Sequence, residues 1–419
     1  MKMKPVAMLS PLCLALFAGS ASAALEPFTL GASQMIQHQS NVTHTLDSQR
    51  TADWLSITEL NAAVDQAIGR DKFIANAAID FTHYKRTHDL NSTGYRAAGE
   101  FDWSTPGDLS GAIGADASHS QYVYGSSSLV QGTTPALARQ KNLQTDTHEF
   151  IRATLGANAR LQAYGGVDLN QRRYSNDNFR ANDEHQWSGN LGTRYQTSPD
   201  LSFGLQGTYV DGEYPHGAVS TVGVQGTASD FTSRSIDATA RWQASANSLF
   251  TAAVGATSDH NNLSNDRHFV NGSLNWAWTP PSHFTMNLGF RRSSDADATT
   301  GVNTGVLNQN NLNGLSINNV GHLELTYALT AKISLDGTAD YTQRRYDNLQ
   351  LAGGSGSANG TTHTSRFYLT AHYQPSRTID LSCGGGREVQ HVGASLSNNQ
   401  TVVPYTDNYL QCVASIKFE

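Results

Sequence analysis

The feature that most constrains this chain is an alternation of apolar and polar side chains that returns along almost its whole length. In Phe73-Ile74-Ala75-Asn76-Ala77-Ala78-Ile79-Asp80-Phe81 every odd position is apolar, and Asn76 and Asp80 fall on even ones. The same period of two runs through 161–169, 201–206, 284–291 and 367–373. Such a period puts alternate side chains on opposite faces of an extended strand, so each segment has one apolar and one polar face.

The connections between these segments come in two sizes. One set is tight and rich in turn residues, as at Thr105-Pro106-Gly107-Asp108, Ser198-Pro199-Asp200, Thr279-Pro280-Pro281-Ser282 and Pro375-Ser376-Arg377-Thr378. The other set is long and polar, as in 125–143, 294–316 and 350–362. The tight turns also carry an internal repeat, an aromatic residue followed by the turn and a glycine-containing strand: FDWSTPGDLSGAIG (101–114), YQTSPDLSFGLQG (195–207), WAWTPPSHFTMNLG (276–289) and YQPSRTIDLSCGGG (373–386). A β-propeller repeats at a similar length but needs four short strands per blade, whereas these repeats hold two long ones.

Eighteen strands can be laid out, from 27–41 and 52–67 to 379–391 and 404–418. Sixteen is the alternative count, because the first strand and the 294–316 region are the least regular. A meander of this kind has no second layer to cover its apolar face. If that face meets lipid, every backbone polar group must be satisfied internally, and for strands only a closed barrel does so. Three features favour lipid. Trp103, Tyr195, Trp242, Trp276, Trp278, Tyr327 and Tyr373 cluster beside the tight turns as an interfacial girdle. The polar face carries charge on strand after strand, which the core of a sandwich would not tolerate. The chain also ends in an amphipathic strand, Leu410 to Glu419. The expected fold is therefore all-β, a transmembrane antiparallel up-and-down β-barrel in the outer membrane, with outer-membrane lipid as its surroundings.

The composition at first points elsewhere. The 419 residues carry a net charge of −7 and a mean hydropathy of −0.42, the average of a water-soluble protein. After the first two dozen residues no stretch approaches the roughly 20 apolar residues of a membrane helix. That excludes helical membrane proteins, and the absence of a Lys/Arg run argues against a nucleic-acid partner. Residues 1–23 combine Lys2 and Lys4, an apolar run and a small-residue end at Ala21-Ser22-Ala23. They read as a secretory signal peptide cleaved after Ala23, leaving 24–419 as the barrel domain.

The early Asp47-Ser48-Gln49-Arg50, the hairpin FDWSTPGDLSGAIG and its echoes through 373–386 resemble β-barrel porins encoded with exopolysaccharide and capsule export machinery, the EpsL-like group. The resemblance covers nearly the whole mature chain as a pattern of hairpins. It implies passage of a polysaccharide chain across the outer membrane, alongside periplasmic components of an export system.

With apolar positions turned outward, the polar face supplies a lumen lining. Its candidates for a substrate path are Tyr84, Arg86, Arg96, Glu100, Asp102, Arg152, Tyr164, Asp168, Arg172, Arg194, Arg241, Arg291, Asp340, Arg344, Arg366 and Tyr368. Guanidinium and carboxylate groups hydrogen-bond sugar hydroxyls, and flat rings pack on sugar faces. The plainer alternative is that these charges hydrate the lumen and pair across strands. Cys383 and Cys412 lie symmetrically about the last long connection and share parity with lipid-facing neighbours, so they are either a cross-strand disulfide or two apolar thiols in lipid contact. No nucleophile motif, phosphate loop or zinc motif occurs, so the chain reads as a channel without cofactor or metal and not as an enzyme.

Two functions remain: polysaccharide export, or a general or substrate-specific uptake porin. An uptake porin often carries an acidic constriction loop, and the 125–143 connection has no acid. That favours export.

Overall fold

In the computed structural model the described residues are 28–122, 140–216, 229–262, 264–281, 283–294, 316–350, 357–394 and 403–418. The signal segment and most of the 125–143 connection lie outside them. The first six strands are β1 (Phe28–Gln39), β2 (Asp53–Ile68), β3 (Asp71–Tyr84), β4 (Ser92–Ser104), β5 (Leu109–Gln121) and β6 (Leu143–Leu155). The next six are β7 (Leu161–Tyr174), β8 (Glu184–Ser198), β9 (Leu201–Tyr214), β10 (Ser229–Ser245), β11 (Ser248–Asn261) and β12 (Ser264–Trp278). The last six are β13 (Phe284–Ser294), β14 (Ser316–Thr330), β15 (Ile333–Gln350), β16 (Ser357–Tyr373), β17 (Ile379–Val392) and β18 (Tyr405–Phe418). Each pairs antiparallel with its sequence neighbours, and β1 pairs with both β2 and β18. The sheet closes on itself as an eighteen-strand up-and-down barrel, which rules out the sixteen-strand count.

The ladder explains the alternation. Across β9 to β12 it aligns Leu205, Ala238, Val254 and Gly272 in one row, and Gly207, Ile236, Ala256 and Val270 in the next outward one. Ile236, Val254 and Val270 are strongly exposed, at 64, 59 and 60 %. Their alternating neighbours Asp237 and Asn271 are buried. Apolar outside and polar inside inverts the order of a soluble protein, and such a wall is stable only against hydrocarbon. The barrel is an outer-membrane protein, with its tight turns at one mouth and its long connections at the other.

Along the turn side of β10 to β13 the outward aromatics form a continuous girdle. Trp242 packs on Phe250 (5.6 Å), Phe250 on Trp276 (5.5 Å) and Trp278 on Phe284 (5.7 Å). The Trp276 indole N–H donates to Ser248 Oγ at 2.8 Å. Rings with an apolar body and a polar edge suit the membrane–water boundary.

The closing strand β1 is tied to both of its neighbours, β2 and β18. On its outer face Thr58 Oγ1 donates to Gln34 Oε1 (2.7 Å) and Gln34 Nε2 donates to Ser56 Oγ (2.9 Å), so these polar groups satisfy one another where water is absent. On its inner face the connection after β1 folds onto β18. The Asp407 carboxylate accepts from Gln39 Nε2 (2.7 Å), Ser40 Oγ (3.1 Å) and the Asn41 backbone N–H (2.9 Å). His44 sits at φ 46°, a left-handed conformation costly for a bulky residue, and is held there by stacking on Tyr405 at 4.4 Å with its Nε2 3.5 Å from Asp407. Asp407 is 1 % exposed. Asp407→Ala strands several buried donors and should lower unfolding stability by about 2–4 kcal/mol. An unchanged urea midpoint would show that this connection does not hold β1 to β18.

Cys383 and Cys412 are paired partners on β17 and β18, 4.1 Å apart at Cα, and a disulfide joins them on the lipid-facing side. Intact mass spectrometry of unreduced protein should read two hydrogens below the reduced mass. Alkylation of both thiols without reductant would contradict the bond.

Candidate functional site: the lumen wall

The register decides which side chains meet the lumen. Arg96, Glu100 and Asp102 on β4 alternate with the outward Tyr95, Ala97 and Phe101, and Arg152 on β6 lies between the outward Ile151 and Ala153. By the same parity Tyr84, Tyr164, Asp168, Arg172, Arg194, Arg241, Arg291, Asp340, Arg344, Arg366 and Tyr368 belong to the inner face. Arg86 does not. The strand ends at Tyr84 because the Asp53 carboxylate accepts from the Arg86 N–H (3.0 Å) and from the N–H (2.8 Å) and hydroxyl (2.7 Å) of Thr87. Arg86 therefore starts a connection and lines no strand.

The wall changes character along the axis. Near the tight turns Lys72 pairs with Asp65 (3.0 Å), and at mid-height Arg96 pairs with Glu59 (2.8 Å), the two cations being 44 and 55 % exposed at the side chain. Exposed pairs of this kind add little stability and mainly hydrate the wall. At mid-height a denser cluster spans β5, β6 and β7. His148 Nδ1 meets Asp116 at 2.8 Å and its Nε2 meets Asp168 at 3.1 Å, while Arg152 reaches Asp168 at 3.3 Å and lies 4.3 Å over the Phe150 ring.

Toward the long connections the wall becomes dry. Arg172 is held between Asp146 (2.8 Å) and Glu184 (3.2 Å). Arg366 binds Glu388 at 2.7 Å through Nε, and the other Glu388 oxygen accepts the Tyr405 hydroxyl. Glu184, Glu388, Tyr405 and Arg344 are all buried. A short 3-10 turn (Asp177–Asn182) drives Phe179 against Tyr122 and Tyr174, closing a small apolar core at the rim. Beside it burial pushes the Asp183 carboxyl up, against the pull of the Tyr174 N–H that it accepts at 2.7 Å. The inner wall thus passes from exposed ion pairs on the turn side to interlocked, partly buried polar groups toward the other mouth.

Tyrosines occupy two opposite sectors of the wall. Tyr164 on β7 lies so close over Gly192 that a Cβ there would come within 2.5 Å of its ring. Arg194 sits 5.5 Å over the same ring, whose hydroxyl donates to Gln206 at 3.2 Å. Tyr409 lies in the same way over Gly386 and stacks on Tyr368 at 5.4 Å. In an eighteen-strand ring β7 and β16 are nine strands apart (16 − 7), so Tyr164 and Tyr368 face each other across the lumen.

Several wall residues escape a reading by parity. Glu59 is one, because the inner face of β2 also carries Leu55 and Ile57 while its outer face carries Ser56 and Thr58, which blurs the alternation. His148, Glu184, Glu388, Tyr405 and Asp407 sit on the inner parity of their strands, and Tyr405 and Asp407 are covered by the connection after β1, whose folding no periodicity describes. Among the described residues no group of three or more His, Cys, Asp or Glu side chains is placed to hold a metal ion.

No known family pattern matches the chain, and no curated protein does. Solved outer-membrane proteins of Pseudomonas aeruginosa overlay on it. The outer membrane protein OpdK shares 11 % identity at a TM-score of 0.47, covering 93 % of this chain and 99 % of its own. OccK2 (OpdF), solved in complex with glucuronate, shares 12 % at 0.46, covering 94 and 98 %. The siderophore receptor PirA shares 10 % at 0.42, covering 94 and 81 %. The barrel itself is established by its own strand pairing.

Proposed function

We propose that the barrel is a passive, selective porin that admits small hydroxylated and charged solutes to the periplasm. The observation that carries this reading is the change along the inner wall, from exposed pairs such as Lys72–Asp65 to the half-buried Arg172 and Arg366, each held by a buried carboxylate, Glu184 or Glu388. An eighteen-strand barrel is wide enough for water, and a polar narrowing selects by size and by hydrogen bonding. A long polymer gains nothing from such a narrowing, since every repeat unit would have to cross it.

Polysaccharide export is the second reading. It is favoured by the facing tyrosines Tyr164 and Tyr368 and by the hairpin resemblance to export-associated barrels. It would add a polysaccharide chain and periplasmic export components as partners.

In planar bilayers the purified barrel should give ohmic single-channel steps. Arg172→Ala removes the hub of the narrowing and should raise conductance by roughly 1.5- to 2-fold. An unchanged conductance would remove Arg172 from the narrowest part of the path. Liposome swelling with mono- and disaccharides, compared with extracellular polysaccharide from a deletion strain, separates the two functions. Solute influx with undiminished polysaccharide supports uptake. Lost polysaccharide without solute influx contradicts it and supports export.

A further inference from the structure

The outer surface carries a built groove that the channel does not use. At the edge of the apolar belt nearer the long connections, the ladder places Arg234 opposite Ser258 and Ser258 opposite His268. One row closer to the membrane centre Ile236, Ala256 and Val270 are aligned in the same way. The small residues of β11 make a floor, and the larger ones of β10 and β12 make two walls, around a cavity of about 540 Å³. The walls are apolar below and cationic or imidazole above, which is the profile of an amphiphile standing in a membrane leaflet.

The upper groups are positioned with some care. Arg234 lies over the Tyr209 ring, 5.5 Å from its centroid, which holds the guanidinium at the belt edge. Among the described residues it has no carboxylate partner: Asp211 accepts from the Tyr209 hydroxyl at 3.2 Å, and Asp266 is taken by His260. On the far side of β12 a second cation is fixed, with Arg292 Nε donating to the Val270 carbonyl (3.0 Å) and Nη1 to Asn319 (3.4 Å). Arg234 and His268 stand two strand spacings apart, about 10 Å at the backbone, which leaves room for one phosphate group above Ser258. A guanidinium and an imidazole bordering the same groove suit a phosphate better than a zwitterionic headgroup.

We infer that the β10–β12 groove binds a phosphorylated glycolipid of the outer leaflet, with an acyl chain along Ala256 and the phosphate between Arg234 and His268. The test uses purified full-length barrel in detergent and native mass spectrometry, with bis-phosphorylated lipid A, dephosphorylated lipid A and inorganic phosphate as probes. The wild type should retain one lipid A, bound about tenfold more tightly than the dephosphorylated form. The Arg234→Ala/His268→Ala variant should lose that preference, and Ser258→Trp, which fills the groove, should lose both lipids. Heat-modifiable gel migration confirms that each variant is a folded barrel. Equal binding of the two lipids by the wild type, an unchanged preference in the double variant, or lipid A retained by Ser258→Trp would each overturn the inference. So would full competition by inorganic phosphate, which would make the groove a free-anion site.

Discussion

Everything in this molecule depends on the hydrogen-bond ladder having no end. A strand in hydrocarbon must pair both of its edges, since an unpaired peptide group there costs several kcal/mol. The ladder therefore runs through eighteen strands and returns, β18 to β1. Once the ring is closed its circumference sets a water-wide interior, and the period of two sorts every side chain to lipid or lumen. The mild average hydropathy of the chain is the mean of these two unlike faces. The Asp407 group lies at the join of the first and last strands, where closure links the two ends of the chain and has no tight turn to help it, and the Gln34–Thr58–Ser56 cluster holds β1 to β2 on its other side.

Inside the ring, charge is managed by neighbours. Glu59 answers Arg96 from two strands away, Asp168 answers both His148 and Arg152, and Glu388 answers Arg366. The inner wall can therefore carry many ions and still present a nearly neutral, strongly hydrogen-bonding surface. What varies along the axis is water. Where it reaches the wall the pairs are exposed, and toward the long connections the same chemistry becomes partly buried and multiply bonded. The outward face shows a related gradation, from the Trp242–Phe250–Trp276 girdle through bare aliphatics to the Arg234 and His268 edge.

Much of this was legible in the residues alone. Periodicity marked all eighteen strands and nearly every inward candidate, because a strand's side-chain direction is a local property. The symmetric spacing of Cys383 and Cys412 about their connection likewise anticipated their being opposite each other, since antiparallel register follows from hairpin length. What could not be read is what depends on distant chain. Arg86 looked like one more inward strand residue, but Asp53, far upstream, ends that strand by capping the next turn. Tyr405 beside Glu388 is covered by His44 from the connection after β1, and the seating of Tyr164 and Tyr409 comes from glycines on neighbouring strands. Sequence patterns carry face and length; they do not carry which loop covers which wall.

The central claim, a closed barrel with lipid on one face of each strand and water on the other, is tested most directly by single cysteines placed at successive positions of 201–209. Each would be probed in reconstituted membranes with a water-soluble and a lipid-soluble thiol reagent. The account predicts strict alternation, with Leu201, Phe203, Leu205, Gly207 and Tyr209 reached from lipid and Ser202, Gly204, Gln206 and Thr208 from water. Uniform accessibility to one reagent, or a period near that of a helix, would contradict it.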